Sequence, residues 1–198
     1  MRILVAGATG KTGTRLVEEL VSRGHHPVAL VRDSSDTDVL PAGVERRRGD
    51  LTDLPDDVCA GCDAVVFAAG SGSSTGPEMT DAVDRDGAKR LIDLAAKANL
   101  DRFVMLSSVG AGDPDPDSDI AHYLQAKHDA DEYLMASGVP YAIVRPVRLT
   151  EDDGSGDVRY GDDVDTGATA ARGDVASVLA DAVEDDAWAG AVRRMQSA

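Results

Sequence analysis

The spacing of three glycines near the start of the chain constrains its fold most. Gly7, Gly10 and Gly13 follow directly after a short apolar run, Ile3 to Ala6, which is typical of a buried strand. The next residues, Thr12 to Arg23, carry apolar side chains at helical spacing. A strand, a glycine-rich turn and a helix bring backbone N–H groups at the helix N-terminus close to a pyrophosphate. The sequence therefore predicts a dinucleotide-binding turn.

The same stretch contains Gly10-Lys11-Thr12, which is also the ending of a triphosphate-binding P-loop. That motif requires another glycine five residues before the glycine that precedes its lysine. The chain has Val5 at that position, so the P-loop pattern is incomplete. We therefore reject a nucleotide triphosphatase as the function of this turn.

Strand-like and helix-like segments alternate along the chain, which favours a doubly wound parallel sheet. The predicted strands are Ile3–Ala6, Val28–Val31, Val44–Arg48, Ala64–Ala69, Arg102–Leu106 and Tyr141–Val144. The predicted helices are Thr12–Arg23, Pro77–Ala98, Ile120–Ser137 and Asp174–Val183. The third strand ends in three consecutive arginines, so we place it at an edge of the sheet with one solvated face. The predicted fold class is α/β, a Rossmann-type three-layer sandwich.

A chain of 198 residues has the size of one domain. We expect a single dinucleotide-binding domain over residues 1–198, in which residues 151–198 form a small region that caps the substrate cleft. No apolar stretch reaches membrane-spanning length, and the N-terminus lacks a signal-peptide pattern. We therefore expect a soluble cytoplasmic protein that binds no membrane and is a monomer or a homodimer.

The charge of the chain is strongly negative, with a net value of −16. Such a surface argues against nucleic acid as a partner, because it would release no counterions from phosphates. The acidity comes from 29 Asp and 7 Glu against 16 Arg and only 4 Lys. Short carboxylates with few lysines suggest adaptation to high salt, where self-repulsion is screened. We expect unfolding at lower denaturant concentration in low salt than in molar salt; unchanged curves would contradict a halophilic origin.

A candidate catalytic group lies in the third predicted helix. Tyr123 and Lys127 are four residues apart and therefore share one helix face. A nearby cation favours the phenolate form of tyrosine, which suits proton transfer. Upstream, a predicted strand ends in Ser107-Ser108, at the edge of the sheet where α/β proteins bind ligands. The alternative is a tyrosine half-packed on the sheet beside a solvated lysine.

Several motifs occur together in a recognisable order. They are Gly7-Ala8-Thr9-Gly10-Lys11-Thr12-Gly13, Arg32, Gly49-Asp50-Leu51, Ala68-Ala69-Gly70, Ser107-Ser108, the Tyr123/Lys127 pair and Arg145-Pro146. This set resembles the atypical short-chain dehydrogenase/reductase family, in its small NAD(P)H-binding branch of NmrA-like and flavin/biliverdin-reductase-like proteins. The resemblance covers the chain to about Leu149.

The resemblance implies roles for individual residues. Tyr123 would be the general acid/base, and Lys127 would bind the nicotinamide ribose and tune the phenol. Ser108, with Ser107 as the alternative, would orient the substrate carbonyl. The implied cofactor-binding residues are Gly7, Thr9, Gly10, Lys11, Thr12, Gly13, Arg32, Asp50, Leu51, Ala69, Gly70, Lys127 and Pro146.

The preference for one nicotinamide cofactor depends on the end of the second predicted strand. Arg32 is the first residue after that strand, where an acidic residue would bind the ribose 2′-OH of NAD. An arginine suits the 2′-phosphate of NADP, and Ser34 and Ser35 add hydroxyl donors. Flavin-reductase-like relatives often have a second arginine where this chain has Asp36. NADP is therefore the expected cofactor, with NAD as the alternative.

A further motif, Cys59-x-x-Cys62, has two functional interpretations that we reject. A redox pair would be expected at a helix N-terminus after a strand, whereas this pair precedes the strand at Ala64. No second pair or nearby histidine completes a zinc site. We interpret the two residues as incidental thiols and expect no metal site.

Three functions remain open at this point. The first is an NADPH-dependent oxidoreductase that reduces a carbonyl, quinone or flavin-like molecule. The second is a sugar-nucleotide epimerase or dehydratase, which uses the same Tyr/Lys pair but normally needs a larger C-terminal domain. The third is a non-catalytic, NmrA-like protein that senses NADP. The substrate pocket would come from residues 70–79, 109–120 and 147–171, whose irregular sequence does not identify the substrate.

Overall fold

A central sheet of eight strands organises the computed structural model, which describes residues 1–72 and 75–198. Two further short strands pair with each other beside it. The strands are β1 (Arg2–Ala6), β2 (His26–Val31), β3 (Glu45–Arg48), β4 (Ala64–Phe67), β5 (Arg102–Leu106), β6 (Tyr141–Pro146), β7 (Arg148–Thr150), β8 (Val158–Tyr160), β9 (Thr169–Ala171) and β10 (Ala191–Ser197). The α-helices are α1 (Lys11–Ser22), α2 (Pro77–Thr80), α3 (Ala88–Lys97), α4 (Ala121–Ala136) and α5 (Arg172–Glu184).

The strand order in the central sheet is β3-β2-β1-β4-β5-β6-β10-β8. Neighbouring strands are parallel from β3 to β10, and β8 is antiparallel to β10. The order reverses direction between β1 and β4, and in such sheets this switch point opens a crevice at the carboxyl ends of the strands. The predicted doubly wound α/β fold is therefore confirmed, including the edge position of β3.

Helices cover both faces of the sheet and produce two separate apolar cores. Leu16, Val17 and Leu20 of α1 pack with apolar residues of α5 on one face. Leu91 of α3 and Leu134 of α4 belong to the core on the other face. Strands buried on both sides explain the continuous apolar runs of β1, β4 and β5.

Two features differ from the prediction made from the sequence. The helix predicted at Pro77–Ala98 is interrupted by a π-helical segment, Asp81–Gly87, between α2 and α3. Residues 151–198 contribute β8 and β10 to the central sheet, in addition to β9 and α5. The sequence of β10 gave no signal because its first residues are polar or half exposed and only Met195 and Gln196 are buried.

No helix in the described ranges is long and apolar enough to cross a membrane.

Candidate functional site

The glycine turn between β1 and α1 can form only without side chains at two of its positions. Gly7 has a φ of +83°, and a Cβ there would lie 2.6 Å from the Ala69 backbone nitrogen. A Cβ at Gly13 would lie 2.0 Å from the carbonyl oxygen of Gly7. Gly10 caps α1 without a side chain, and the first turn of α1 contains no acidic residue. The first N–H groups of α1 therefore face a space that suits an anion.

Two adjoining cavities open beside this turn at the sheet's switch point. The larger has a volume of about 690 Å³ and the smaller about 420 Å³. They share Gly10, the residues after β4 from Ala68 to Ser71, and Thr75. An extended ligand with two ends and a charged middle fits this shape, and a dinucleotide has this form. After the halves of the cofactor that the sequence leads us to expect there, we name the larger the nicotinamide-side cavity and the smaller the adenosine-side cavity.

The adenosine-side cavity contains the residues expected to select the cofactor. Arg32, Ser35, Asp50 and Leu51 line it, together with Gly7 and Thr9. Hydrogen bonds from the Thr52 backbone N–H and hydroxyl, together with the charge of Arg32, hold the pKa of Asp50 below its usual range despite partial burial.

The guanidinium of Arg32 differs from that of Arg48 in its ion pairing. Within residues 1–72 and 75–198, no carboxylate lies within ion-pair distance of it, whereas Arg48 pairs with Asp33. The backbone N–H of Arg32 donates to the Ser35 hydroxyl, at 3.0 Å, which fixes the turn after β2. Arg32 can therefore bind a ligand anion without first losing an ion pair within the described chain.

The nicotinamide-side cavity brings together the predicted catalytic residues. Tyr123, Lys127 and Ser107 line it, as do Lys11 and Thr12 from the first turn of α1. Tyr123 is half-buried, and the centre of its ring lies 5.8 Å from Lys127 Nζ. The predicted convergence of phenol and ammonium is present in this cavity.

Lys127 is buried, in contrast to the solvated lysine of the alternative interpretation. Its Nζ lies 3.0 Å from Asp84 Oδ1 and donates to the carbonyl oxygens of Ala69 and Leu106, at 3.3 and 3.4 Å. The ammonium is therefore held by two hydrogen bonds to backbone carbonyls and by an ion pair with a buried carboxylate. Contact with a ribose hydroxyl would have to form beside these three groups.

The charge of Lys127 is maintained by its surroundings. Burial would lower the pKa of Lys127, but its interactions with Tyr123, Asp84 and Asp131 outweigh burial and raise the pKa above its usual range. Asp84 lies in the π-helical segment, has no exposed surface, and also accepts the Ser71 N–H, at 2.9 Å. A π-helical turn shifts the helix register and is frequent at functional sites. Asp84 was not identified from the sequence.

Ser107 belongs to a second buried network. Its hydroxyl donates to Asp131 Oδ2, at 2.7 Å, and Arg145 donates to the same oxygen from Nε, at 3.0 Å. Asp131 lies four residues after Lys127 in α4, so the face that carries Tyr123 continues to it. Burial raises the pKa of Asp131, although Ser107 and Arg145 oppose this shift. Because the Ser107 proton is directed at Asp131, this hydroxyl presents acceptor lone pairs to the cavity.

Three residues implied by the resemblance lie elsewhere. Ser108 and Pro146 are not among the residues that line either cavity. Pro146 is the last residue of β6 and pairs with Met195 of β10. Gly13 does not line either cavity, but its close packing against Gly7 maintains the shape of the glycine turn. Of the two serines, it is Ser107 that lines the cavity with Tyr123.

The loops expected to form the substrate pocket contribute part of its wall. Gly72, Thr75 and Pro77 line the nicotinamide-side cavity, as do Ile120 and Leu149. Residues 73 and 74 of the first expected loop lie outside the described residues. Arg172, the first residue of α5, also lines this cavity. No local motif distinguished Arg172, because its partner at the turn, Thr12, is 160 residues away.

The two cysteines lie away from both cavities, before β4. Both are free and buried, and burial raises the pKa of Cys59 to about 12. A thiol with so high a pKa is almost fully protonated at neutral pH and is a poor nucleophile. This arrangement agrees with the interpretation as incidental thiols.

Comparisons with known proteins identify the family of this chain. A family model described as NAD(P)H-binding matches residues 7–186. An uncharacterized sugar epimerase of Bacillus subtilis is 37% identical over 185 residues, covering 90% of this chain and 86% of that protein. A Bacillus halodurans protein, provisionally named an NAD-dependent epimerase/dehydratase, is 37% identical with a TM-score of 0.92, covering 100% of this chain and 94% of that one. An oxidoreductase from Lactococcus lactis is 28% identical with a TM-score of 0.88, and the match covers 100% of this chain and 91% of that one.

Proposed function

This chain belongs to the NAD(P)H-binding family, and we propose that it is an oxidoreductase that transfers hydride between NADP(H) and a carbonyl, quinone or flavin-like molecule. The observation that carries the proposal is the meeting of two cavities at the glycine turn, with Tyr123 and Lys127 in the larger one. The residues fit a dinucleotide because the uncapped first turn of α1 suits phosphates and the cavities extend to either side. When bound, the nicotinamide supplies or accepts the hydride.

The protein's own residues donate a proton to the substrate and orient it. Among the described residues that line the larger cavity, Tyr123 alone has a phenol, which can give a proton to a carbonyl oxygen. The buried charge of Lys127 favours the phenolate that remains. Ser107 accepts a hydrogen bond rather than donating one, so it suits a hydroxyl or N–H of the ligand. Tyr123 therefore acts as general acid, with Lys127 and Ser107 positioned around it.

Two alternatives keep some support. The names of the relatives from Bacillus subtilis and Bacillus halodurans favour an epimerase or dehydratase. In this chain, however, residues 151–198 contribute β8 and β10 to the central sheet, so this segment is part of the dinucleotide-binding fold rather than a separate nucleotide-sugar domain. A non-catalytic sensor of NADP is supported by Lys127, whose buried ammonium already pairs with Asp84 and donates to two backbone carbonyls.

The proposal is tested with purified protein in high salt. Mass spectrometry identifies any nucleotide that stays bound, and NADPH oxidation is followed with quinones, flavins and small carbonyls. We expect bound or tightly binding NADP(H) and turnover with at least one acceptor class. Retention of NADP without turnover of any acceptor would favour the sensor, and failure to bind any nicotinamide nucleotide would refute the proposal.

Arg32→Ala should weaken NADP(H) binding by about ten- to a hundredfold and leave NAD(H) binding nearly unchanged. A charge-assisted hydrogen bond to phosphate contributes about 1.5–3 kcal/mol, and only NADP carries a 2′-phosphate. The dissociation constants of both cofactors are measured by fluorescence titration. Arg48→Ala is the matched control, because Arg48 is a nearby exposed arginine that pairs with Asp33 and lines neither cavity. An equal loss for both cofactors would mean that Arg32 supports the turn rather than the phosphate.

A further inference from the structure

Two cations from distant parts of the chain converge on one carboxylate beside the glycine turn. Lys11 Nζ lies 2.9 Å from Glu151 Oε1, and Arg172 Nε lies 3.2 Å from the same oxygen. Arg172 also donates from Nη1 to the Thr12 hydroxyl, at 2.8 Å. Lys11, Thr12 and Arg172 all line the nicotinamide-side cavity. A single carboxylate oxygen, from a residue that is not among those lining either cavity, thus pairs with two cations of the cavity wall.

The charge of the whole protein makes this cluster unusual. The chain has a net charge of −16, so its average field repels an anionic dinucleotide. The lysines and arginines among the described residues that line the larger cavity are Lys11, Lys127 and Arg172. Lys127 is committed to the buried Asp84. Lys11 and Arg172 therefore supply the exchangeable positive charge of this cavity.

Glu151 holds these cations only weakly. Its side chain is 57% exposed and that of Lys11 is 68% exposed, and ion pairs of this kind contribute little to stability. The backbone of Glu151 is anchored independently, because Arg15 Nη2 donates to its carbonyl oxygen, at 2.6 Å. The Glu151 carboxylate can therefore rotate away from the cations without movement of the loop.

We propose that Lys11, Thr12 and Arg172 form a diphosphate-binding subsite and that the carboxylate of Glu151 pairs with its two cations until a diphosphate displaces it. Arg172 is thereby assigned as a phosphate ligand that the C-terminal segment contributes. The inference rests on the proposed binding of a dinucleotide, whose pyrophosphate is the diphosphate in question. Hydrogen bonds from Lys11 and, to a smaller extent, Arg172 hold the pKa of Glu151 below its usual range, so the competing carboxylate is charged at neutral pH.

The test compares variants of the full chain that change one charge each. Glu151→Gln removes the competing charge and keeps the shape, so the dissociation constant of NADPH should decrease by about three- to tenfold in low salt. Arg172→Met should increase it by about tenfold or more. In the double variant the benefit of Glu151→Gln should shrink, because one of the released cations is missing. Molar salt should reduce all three effects.

Asp153→Asn is the matched control for Glu151→Gln. Asp153 belongs to the same loop, pairs only at 3.6 Å with Arg15, and its side chain is 98% exposed. It changes the net charge equally but touches neither cation of the subsite. Equal tightening by Asp153→Asn and Glu151→Gln would overturn the inference, since the effect would then be one of overall charge. Melting curves of each variant exclude loss of folding as the cause of weaker binding.

Inorganic pyrophosphate and orthophosphate serve as separate probes that compete with NADPH. We expect Glu151→Gln to strengthen competition by pyrophosphate and to leave that by orthophosphate nearly unchanged. An equal gain for orthophosphate would overturn the assignment to a diphosphate and indicate a site for a single phosphate. Absence of NADPH binding to the unaltered protein would instead contradict the proposed function.

Discussion

Tyr123→Phe should lower turnover of a carbonyl acceptor by about 10²–10⁴-fold, the usual range for the loss of a positioned acid. Phenylalanine keeps the ring and its packing in the nicotinamide-side cavity but removes the proton-donating hydroxyl. The dissociation constant of the cofactor should barely change, because no cofactor contact depends on that hydroxyl in the proposed role. Steady-state kinetics and a fluorescence titration of the same preparation measure the two quantities.

Tyr133→Phe is the control for this substitution. Tyr133 lies in the same helix, α4, but is exposed and donates to Asp93 on the protein surface. Its loss should leave turnover unchanged. Unchanged carbonyl reduction by Tyr123→Phe would remove Tyr123 from the mechanism. Unchanged reduction of a flavin or quinone alone would assign the protein to hydride transfer in which solvent supplies the proton.

Asp84→Asn should lower the free energy of unfolding by about 3–5 kcal/mol, as expected when one partner of a buried ion pair is removed. Asparagine keeps an acceptor for the Ser71 N–H but leaves the Lys127 ammonium without its closest anion. Chemical denaturation at constant salt measures the loss. Asp86→Asn is the control in the same π-helical segment, because Asp86 pairs with Arg85 on the surface and should contribute at most about 1 kcal/mol. Equal small losses would mean that the buried pair is not important for stability.

The pH dependence of this loss has a definite sign. In the unaltered protein Tyr123, Asp84 and Asp131 raise the pKa of Lys127 against the effect of burial. The charged lysine therefore makes its full contribution to the free energy of unfolding at neutral pH. This contribution is lost only as the pH rises through the raised pKa. In Asp84→Asn one of the groups that oppose burial is removed, so the pKa of Lys127 is lower than in the unaltered protein. The charged lysine then stabilises the folded variant less than it stabilises the unaltered protein, so the deficit should be largest near neutral pH and should decrease in alkaline solution.

Local patterns were sufficient to predict the fold, and they also brought Tyr123, Lys127 and Arg32 forward as candidate site residues. The apolar runs, the helical spacing and the glycine turn each depend on residues within about ten positions of one another, and the structure confirms the parallel sheet they predict. The pairing of Tyr123 and Lys127 is also local, because residues four apart on a helix must share a face. Arg32 follows from the same kind of reasoning, since it comes directly after a buried strand.

The strand at the end of the chain shows where local reasoning fails. Arg193 and Arg194 lie within β10, a polar segment that pairs with β6 in the central sheet. Nothing in its own sequence requires a buried sheet position. Backbone pairing with β6 on one side and with β8 on the other decides its place, and this pairing joins residues far apart in the chain.

The sequence by itself determined that this chain forms a dinucleotide-binding sheet with a tyrosine and a lysine on one helix face. Only the tertiary structure decided what those groups can do. It buried Lys127 against Asp84, turned the Ser107 proton toward Asp131, and brought Arg172 and Glu151 to the glycine turn. The physical reason is that side-chain charge and hydrogen-bond direction depend on burial and on partners many residues away, which spacing along the chain does not encode.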